Sequence, residues 1–224
     1  MSKRVLILVE GQTEERFVKD VLAPAFFDRE LFFSPTLLNT KRVKDGANFK
    51  GGITTFGKFK YDAQLLLNSA AGALVTTLVD YYRLPNDFPG MATRPQNGTA
   101  VQRVLHVESE IAKDFGSPTN FLPFLALHEF EAWLFSSVTE LPRALADLNK
   151  QKEFEAVRAS VNTPEDINER PELAPSKRIV KMFPAYKKTA HGPNIAKRIG
   201  LERIRQECPH FNDWMNKLEA FAAA

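Results

Sequence analysis

Apolar positions along this chain come as short unbroken runs and as longer, spaced sets, and the two kinds alternate. The first run, Val5-Leu6-Ile7-Leu8-Val9, predicts a buried parallel strand over Arg4 to Val9 that stops at Glu10-Gly11. Phe17, Val18, Val21 and Leu22 follow at helical spacing, with Thr13 in the N-cap position and Glu14 and Glu15 in the first turn. Residues 31–40 read as a second strand, and the glycine-dotted stretch from Asp45 to Gly57 as a loop. A helix is expected from Lys58 to Ala71, closed by Gly72. Ala73 to Val79 is the next strand, rich in β-branched residues and ending at Asp80.

Pro85, Pro89, Gly90, Pro95 and Gly98 then interrupt any regular pattern, which makes this long segment a candidate functional loop. A helix over Ala100 to Phe115, a strand over Phe121 to Leu127 and a helix over His128 to Phe135 complete the alternation. Strands separated by helices predict an α/β fold: a mostly parallel sheet with helices on both faces. Beyond Thr139 the sequence offers only helices and loops, broken by prolines at 142, 164, 171, 175, 184, 193 and 209. We therefore divide the chain into an α/β region, 1–138, and a helical C-terminal region, 139–224, packed on it.

Composition narrows the setting. No apolar run approaches the roughly 20 residues that span a bilayer, and Met1-Ser2-Lys3-Arg4 leads into the first strand without a signal-peptide pattern. The single cysteine, Cys208, excludes an internal disulfide and a cysteine-built zinc site, so a cytoplasmic location is expected. The net charge of +3 is unevenly spread: Ser176 to Gln206 holds nine Lys/Arg and one acid, Glu202. A basic stretch beside an acidic body suits a polyanion gripped in one place and processed in another, although a solvated helical face would look the same.

The acids carry the candidate chemistry. Glu10 and Asp80 each sit where a strand ends, and in open α/β sheets ligands bind beyond the carboxyl ends of strands. Converging carboxylates repel one another, and a hard cation such as Mg²⁺ removes that cost. Glu14, four residues after Glu10, is a further candidate ligand, reached if the turn folds back at Gly11; otherwise it complements the helix N-terminus. In His128-Glu129-Phe130-Glu131-Ala132-Trp133-Leu134-Phe135, a helical wheel places Glu131 within the apolar arc, where a carboxylate needs a partner or a metal. Glu129 falls on the opposite side, solvated or reaching the same site from the strand end. Asp87 is either another ligand or a turn residue. Ser176-Lys177-Arg178 and Tyr186-Lys187-Lys188 have phosphate-binding chemistry. Lys50-Gly51-Gly52 lacks the rest of a phosphate-loop signature, and no GxSxG, HExxH or Cys/His metal pattern occurs.

Taken in order, Val9-Glu10-Gly11-Gln12-Thr13-Glu14-Glu15-Arg16-Phe17-Val18, Val79-Asp80-Tyr81-Tyr82, Asp87-Phe88-Pro89-Gly90, His128-Glu129-Phe130-Glu131 and Pro175-Ser176-Lys177-Arg178 resemble a TOPRIM-related family, domain-of-unknown-function family 4276. The resemblance implies a TOPRIM-like (Rossmann-like) fold akin to the nuclease domain of overcoming-lysogenization-defect (OLD) proteins, and an association with ABC-type ATPases in bacterial anti-phage defence. TOPRIM proteins place a glutamate after the first strand and Asp-x-Asp after a later one. Glu10 and Asp80 match, whereas Tyr82 stands where the second aspartate belongs. The implied activity is a nuclease acting on DNA or RNA with Mg²⁺ or Mn²⁺. Glu10, Asp80 and Glu131 would hold the metal with Glu14 or Glu129, and Ser176, Lys177, Arg178, Lys187 and Lys188 would meet the phosphates. The Tyr82 departure leaves open a non-catalytic subunit that keeps the fold and binds an ATPase.

Overall fold

The computed structural model describes residues 2–38, 53–167 and 171–224, so most of the expected glycine loop, with Lys50-Gly51-Gly52, lies outside the described residues. Five parallel strands form one sheet: β1 (Lys3–Val9), β2 (Leu31–Leu37), β3 (Leu74–Asp80), β4 (Phe121–Leu122) and β5 (Leu125–Ala126). Their order is β2-β1-β3-β4, and β5 continues beside β3. The chain leaves β1 toward β2 on one side, and β3 lies on the other. The reversal of strand order thus falls between β1 and β3, whose carboxyl ends are Val9-Glu10 and Asp80.

Alternation along the strands feeds two apolar layers, as a period of two requires. Val5, Ile7 and Val9 of β1, with Leu74 and Leu78 of β3, join a core on one face, and Leu8, Val75 and Val79 join a core on the other. The second face is covered by α3 (Phe56–Ser69) and α4 (Ala100–Asp114), through Phe59, Ala63, Val104, Val107 and Ile111. Helix α4 begins with a full capping box between Thr99 and Gln102.

The first face carries α1 (Gln12–Phe17), which runs on through a π-helical turn (Val18–Leu22) into α2 (Ala23–Ala25). After a 3₁₀ helix (Phe130–Ser136) the regular elements among the described residues are helices, the longer ones being α5 (Glu140–Ala144), α6 (Gln151–Ala159), α7 (Pro175–Met182), α8 (Lys188–Ile199), α9 (Leu201–Glu207) and α10 (Pro209–Ala223). This core is one body of buried side chains from Val5 to Leu218, crossing position 138 without a break. Phe17, Phe130, Trp133 and Phe211 form its aromatic centre, with ring centroids 4.5–6.2 Å apart. Burial of each such side chain stabilises the fold by roughly 1.5–3 kcal/mol. Trp214 of α10 donates its indole N–H to Thr76 Oγ1 at 2.9 Å, which locks the last helix to the middle of β3.

Three local expectations are corrected. The strand over Phe121 to Leu127 is split, because Pro123 has no N–H to give to the ladder. Thr77 repairs the gap, its hydroxyl accepting from Phe124 N (2.9 Å) and donating to Phe124 O (2.7 Å). The N-cap of α1 is Gly11, and Thr13 is a buried residue inside the helix. The segment after His128 is a 3₁₀ helix over Phe130–Ser136 with every residue buried, so its sides are not divided into apolar and solvated. Among the described residues no helix is long and apolar enough to cross a membrane.

Candidate metal centre

At the switch point the ends of β1 and β3 are tied by their own side chains. Glu10 Oε2 accepts the backbone N–H of Asp80 at 3.0 Å, and Glu10 N donates to Leu78 O at 3.1 Å. Asp80 Oδ1 in turn accepts from Phe130 N at 3.0 Å and so holds the first residue of the 3₁₀ helix. Beyond the strands, Tyr81 N donates to Ala126 O and Tyr82 N to His128 O. His128 takes a left-handed φ of 71°, a conformation rarely adopted by a non-glycine residue. That turn carries the chain from β5 to Glu129. Burial pushes the His128 imidazole down to about 4, so it is neutral.

Glu14 completes the group from the first turn of α1. A Cβ on Gly11 would stand 3.2 Å from Glu14 Oε2, so the bare glycine lets this carboxylate fold back toward Glu10. Glu15, one residue on, points outward and pairs with Lys19 at 2.5 Å. Burial, opposed by the bond from Asp80 N, raises Glu10 to about 7. Burial and the neighbouring Glu10 and Glu131 raise Glu14 to about 7. Asp80 is pushed well above the usual carboxylate range by burial and by Glu10 and Glu14.

Glu131 and Glu129 enter from the 3₁₀ helix. Glu131 is 1% exposed, and burial raises its carboxyl against the pull of Lys188. Its Oε2 accepts from Lys188 Nζ at 3.0 Å and its Oε1 from the Tyr186 hydroxyl at 3.4 Å. The helical wheel singled out Glu131 although the helix is of another kind, because total burial leaves any carboxylate in need of a partner. Glu129 is buried too, which leaves the second of its two expected places, at the site, and not the solvated one. It takes Ser176 N and Ser176 Oγ at 3.0 Å each and Lys188 Nζ at 3.2 Å, binding together the 3₁₀ helix, α7 and α8.

Lys188 reaches the carboxylates because α8 packs unusually close. A Cβ on Gly192 would meet Phe130 at 3.1 Å, the Tyr186 hydroxyl at 3.2 Å and Thr13 at 3.4 Å. One turn earlier stands Lys188. Pro193 inside α8 cannot donate to Thr189 O, four residues before it. Arg16 of α1 supplies the missing donor to that carbonyl at 2.7 Å and fastens the two helices.

Of the remaining candidates, Ser176 is bonded to the cluster itself. Ser176 is buried and spends its hydroxyl on Glu129. Lys177 and Lys187 are exposed, and Arg178 donates Nε to Leu173 O at 2.8 Å. Asp87 takes the turn role: it is exposed, and its carboxylate accepts from Phe56 N at 2.9 Å at the start of α3. Tyr82, in place of a second aspartate, lies under the Arg83 guanidinium, 5.1 Å from its ring centre. Residue types alone did not mark the supporting roles of Gly192, Arg16 and Tyr186. A Gly-Pro pair inside a basic helix was the available signal.

Five carboxylates from β1, α1, β3 and the 3₁₀ helix thus gather about one ammonium. Their donors are all hard oxygens, the ligand chemistry that Mg²⁺ and Mn²⁺ prefer. The fit is one of chemistry and charge. Among the described residues, no three acid, imidazole or thiol side chains already stand as a set that could grip one ion.

Comparison with solved structures finds the C-terminal region of the Xanthomonas campestris pv. campestris OLD protein, with a TM-score of 0.39 and 15% identity. The match covers 99% of this chain and 95% of that one, a likeness too distant to carry residue roles across. No curated protein matches the chain in sequence. The profile of the domain of unknown function DUF4276 matches residues 9–219, and the chain therefore belongs to that family.

Proposed function

We propose that this protein is a divalent-metal-dependent nuclease of TOPRIM type that cleaves phosphodiester bonds of DNA or RNA. The observation that carries the reading is the surplus of acids at the sheet's switch point: Glu14, Glu129 and Glu131 are buried, Glu10 and Asp80 are half-buried, and one lysine, Lys188, bridges two of the five. Left without a cation or protons, such a group is costly. Glu10, Asp80, Glu14 and Glu131 would hold Mg²⁺ or Mn²⁺. Bound there, the ion supplies Lewis-acid chemistry, an acidified water and compensation for charge on the leaving oxygen. Glu129 holds Ser176 and Lys188 in place and so positions α7 and α8. Lys188, paired with Glu129 and Glu131, would be the cation beside the reacting phosphate. Lys177, Arg178 and Lys187, on and beyond α7, would grip the flanking backbone and make binding salt-dependent. The resemblance to ATPase-associated nucleases supports an ABC-type ATPase as partner and a role in anti-phage defence.

The test is metal-titrated cleavage of duplex DNA, single-stranded DNA, RNA and tRNA. Wild type should cut at least one of them with Mg²⁺ or Mn²⁺ and stop in EDTA. Folded Glu10→Gln and Asp80→Asn should lose on the order of 10²–10³-fold or more in rate. Cleavage that survives EDTA and both substitutions contradicts the proposal. A second reading, a TOPRIM-fold regulatory subunit without catalysis, draws support from Tyr82 and from the absence of a ready-made ligand set among the described residues. Wild type inert on every substrate, yet co-purifying with an ATPase, would favour it.

A further inference from the structure

We propose that Lys188 is the built-in counter-cation of the carboxylate cluster, a residue that occupies the centre before metal arrives and is displaced when metal binds. The inference rests on the metal-centre reading above and concerns how that centre is regulated. Its ammonium lies 3.0 Å from Glu131 Oε2 and 3.2 Å from Glu129 Oε1. Its charge also acts on Glu10, Glu14 and Asp80, and the five acids lie in four separate segments.

Local physics argues against a lysine here for any other reason. Lys188 is the first residue of α8, the positive end of the helix, where a cation is disfavoured and an acid preferred. Lys187, at the N-cap, offers no side-chain acceptor to relieve that end. Only the carboxylates opposite compensate, so the residue is placed for the cluster and at the expense of the helix. The close packing at Gly192 holds the start of α8 over the acids, while the Lys188 side chain stays 45% exposed. One side of the stem is therefore free, and the ammonium can leave without unpacking α8.

The consequence is exchange. A divalent ion entering among Glu10, Glu14, Asp80 and Glu131 takes over the neutralising role and repels the ammonium. Lys188 then swings toward solvent, where an incoming phosphate would find it. Occupancy by metal and readiness of the lysine for anionic substrate become linked events.

Calorimetric titration of Mn²⁺ into the full chain tests this without reference to activity, using wild type, Lys188→Met and Lys188→Arg. Lys188→Met should bind Mn²⁺ at least about tenfold more tightly than wild type, because one competing charge is gone. Lys188→Arg should bind as wild type does. Thermal unfolding supplies the second measurement. In EDTA, Lys188→Met should melt well below wild type, and saturating Mn²⁺ should erase the gap. If Lys188→Met is unfolded in EDTA, Mn²⁺ should fold it, and failure to do so overturns the proposal. Equal or weaker Mn²⁺ binding by Lys188→Met also overturns it, while leaving the metal centre standing. Binding by neither protein overturns both.

Discussion

Two groups of acids, one in the interior and one at the rim of the sheet, are treated in opposite ways. In the interior, Glu165 accepts two backbone N–H groups at the start of α10, from His210 at 2.8 Å and Phe211 at 3.0 Å. Glu108 of α4 accepts Leu125 N at 2.8 Å and faces His210 Nε2 at 3.1 Å. Each of these acids has been given donors that the fold needs to satisfy anyway, a helix start and a strand end. At the rim the acids outnumber the cations: Glu10, Glu14, Asp80, Glu129 and Glu131 share three backbone N–H groups, two hydroxyls and one ammonium. The contrast teaches that burial of an acid does not by itself mark a functional site. A surplus of acids over cations does.

The comparison can be broken from either side. The largest effect is expected in the interior, where Glu165→Ala leaves two buried N–H groups at α10 without an acceptor. That should lower stability by about 3 kcal/mol or more, at about 1–3 kcal/mol per orphaned group. Chemical denaturation measures it, and a loss near zero would mean that this acid is as dispensable as a surface one. At the rim the sign reverses. Glu14→Gln removes repulsion rather than support, and in EDTA at pH 8 it should stabilise the protein by on the order of 1–2 kcal/mol. A destabilised Glu14→Gln would show that the rim acids are as well partnered as the interior pair.

The pH dependence sharpens the same point more gently. Glu10 and Glu14 titrate near 7 in the metal-free fold, above the ordinary value of 4.5. The folded protein therefore holds protons that the unfolded chain has released. Their contribution to stability is fully present below about 4.5 and is lost as pH rises through about 7. Melting of wild type in EDTA should fall across that interval, and Glu10→Gln should flatten the slope. A slope unchanged by the substitution would remove these carboxylates as its source.

How much of this was legible in the sequence depends on whether a feature is local. The apolar runs of β1 and β3 and the periodicity of α4 decide themselves within a few residues, so their bounds were read within one residue or so. Glu10 and Asp80 were found because a strand end is visible as the end of an apolar run. Glu131 was found by the right criterion, an acid among apolar neighbours, on the wrong helix type. The split at Pro123 is legible from the proline alone, which has no N–H to give, although the residues on either side are apolar. For Glu129 the sequence left two places open, solvent or the site, because its burial is set by Ser176 and Lys188, 47 and 59 residues away. Glu108, Glu165 and His210 were invisible for the same reason: what partners them comes from distant segments. Lys188 was noticed as a basic residue, but its place at the positive end of α8 requires knowing where α8 begins.

The central claim is that the acids at the rim of β1 and β3 share a divalent ion. Soaking Mn²⁺ into crystals of the wild-type protein and collecting anomalous diffraction tests it directly. The account predicts a peak between Glu10 and Asp80, within coordination distance of their carboxylates and reduced in Glu10→Gln crystals. A map with no anomalous density there at saturating Mn²⁺, and Lys188 still seated on Glu129 and Glu131, would contradict it.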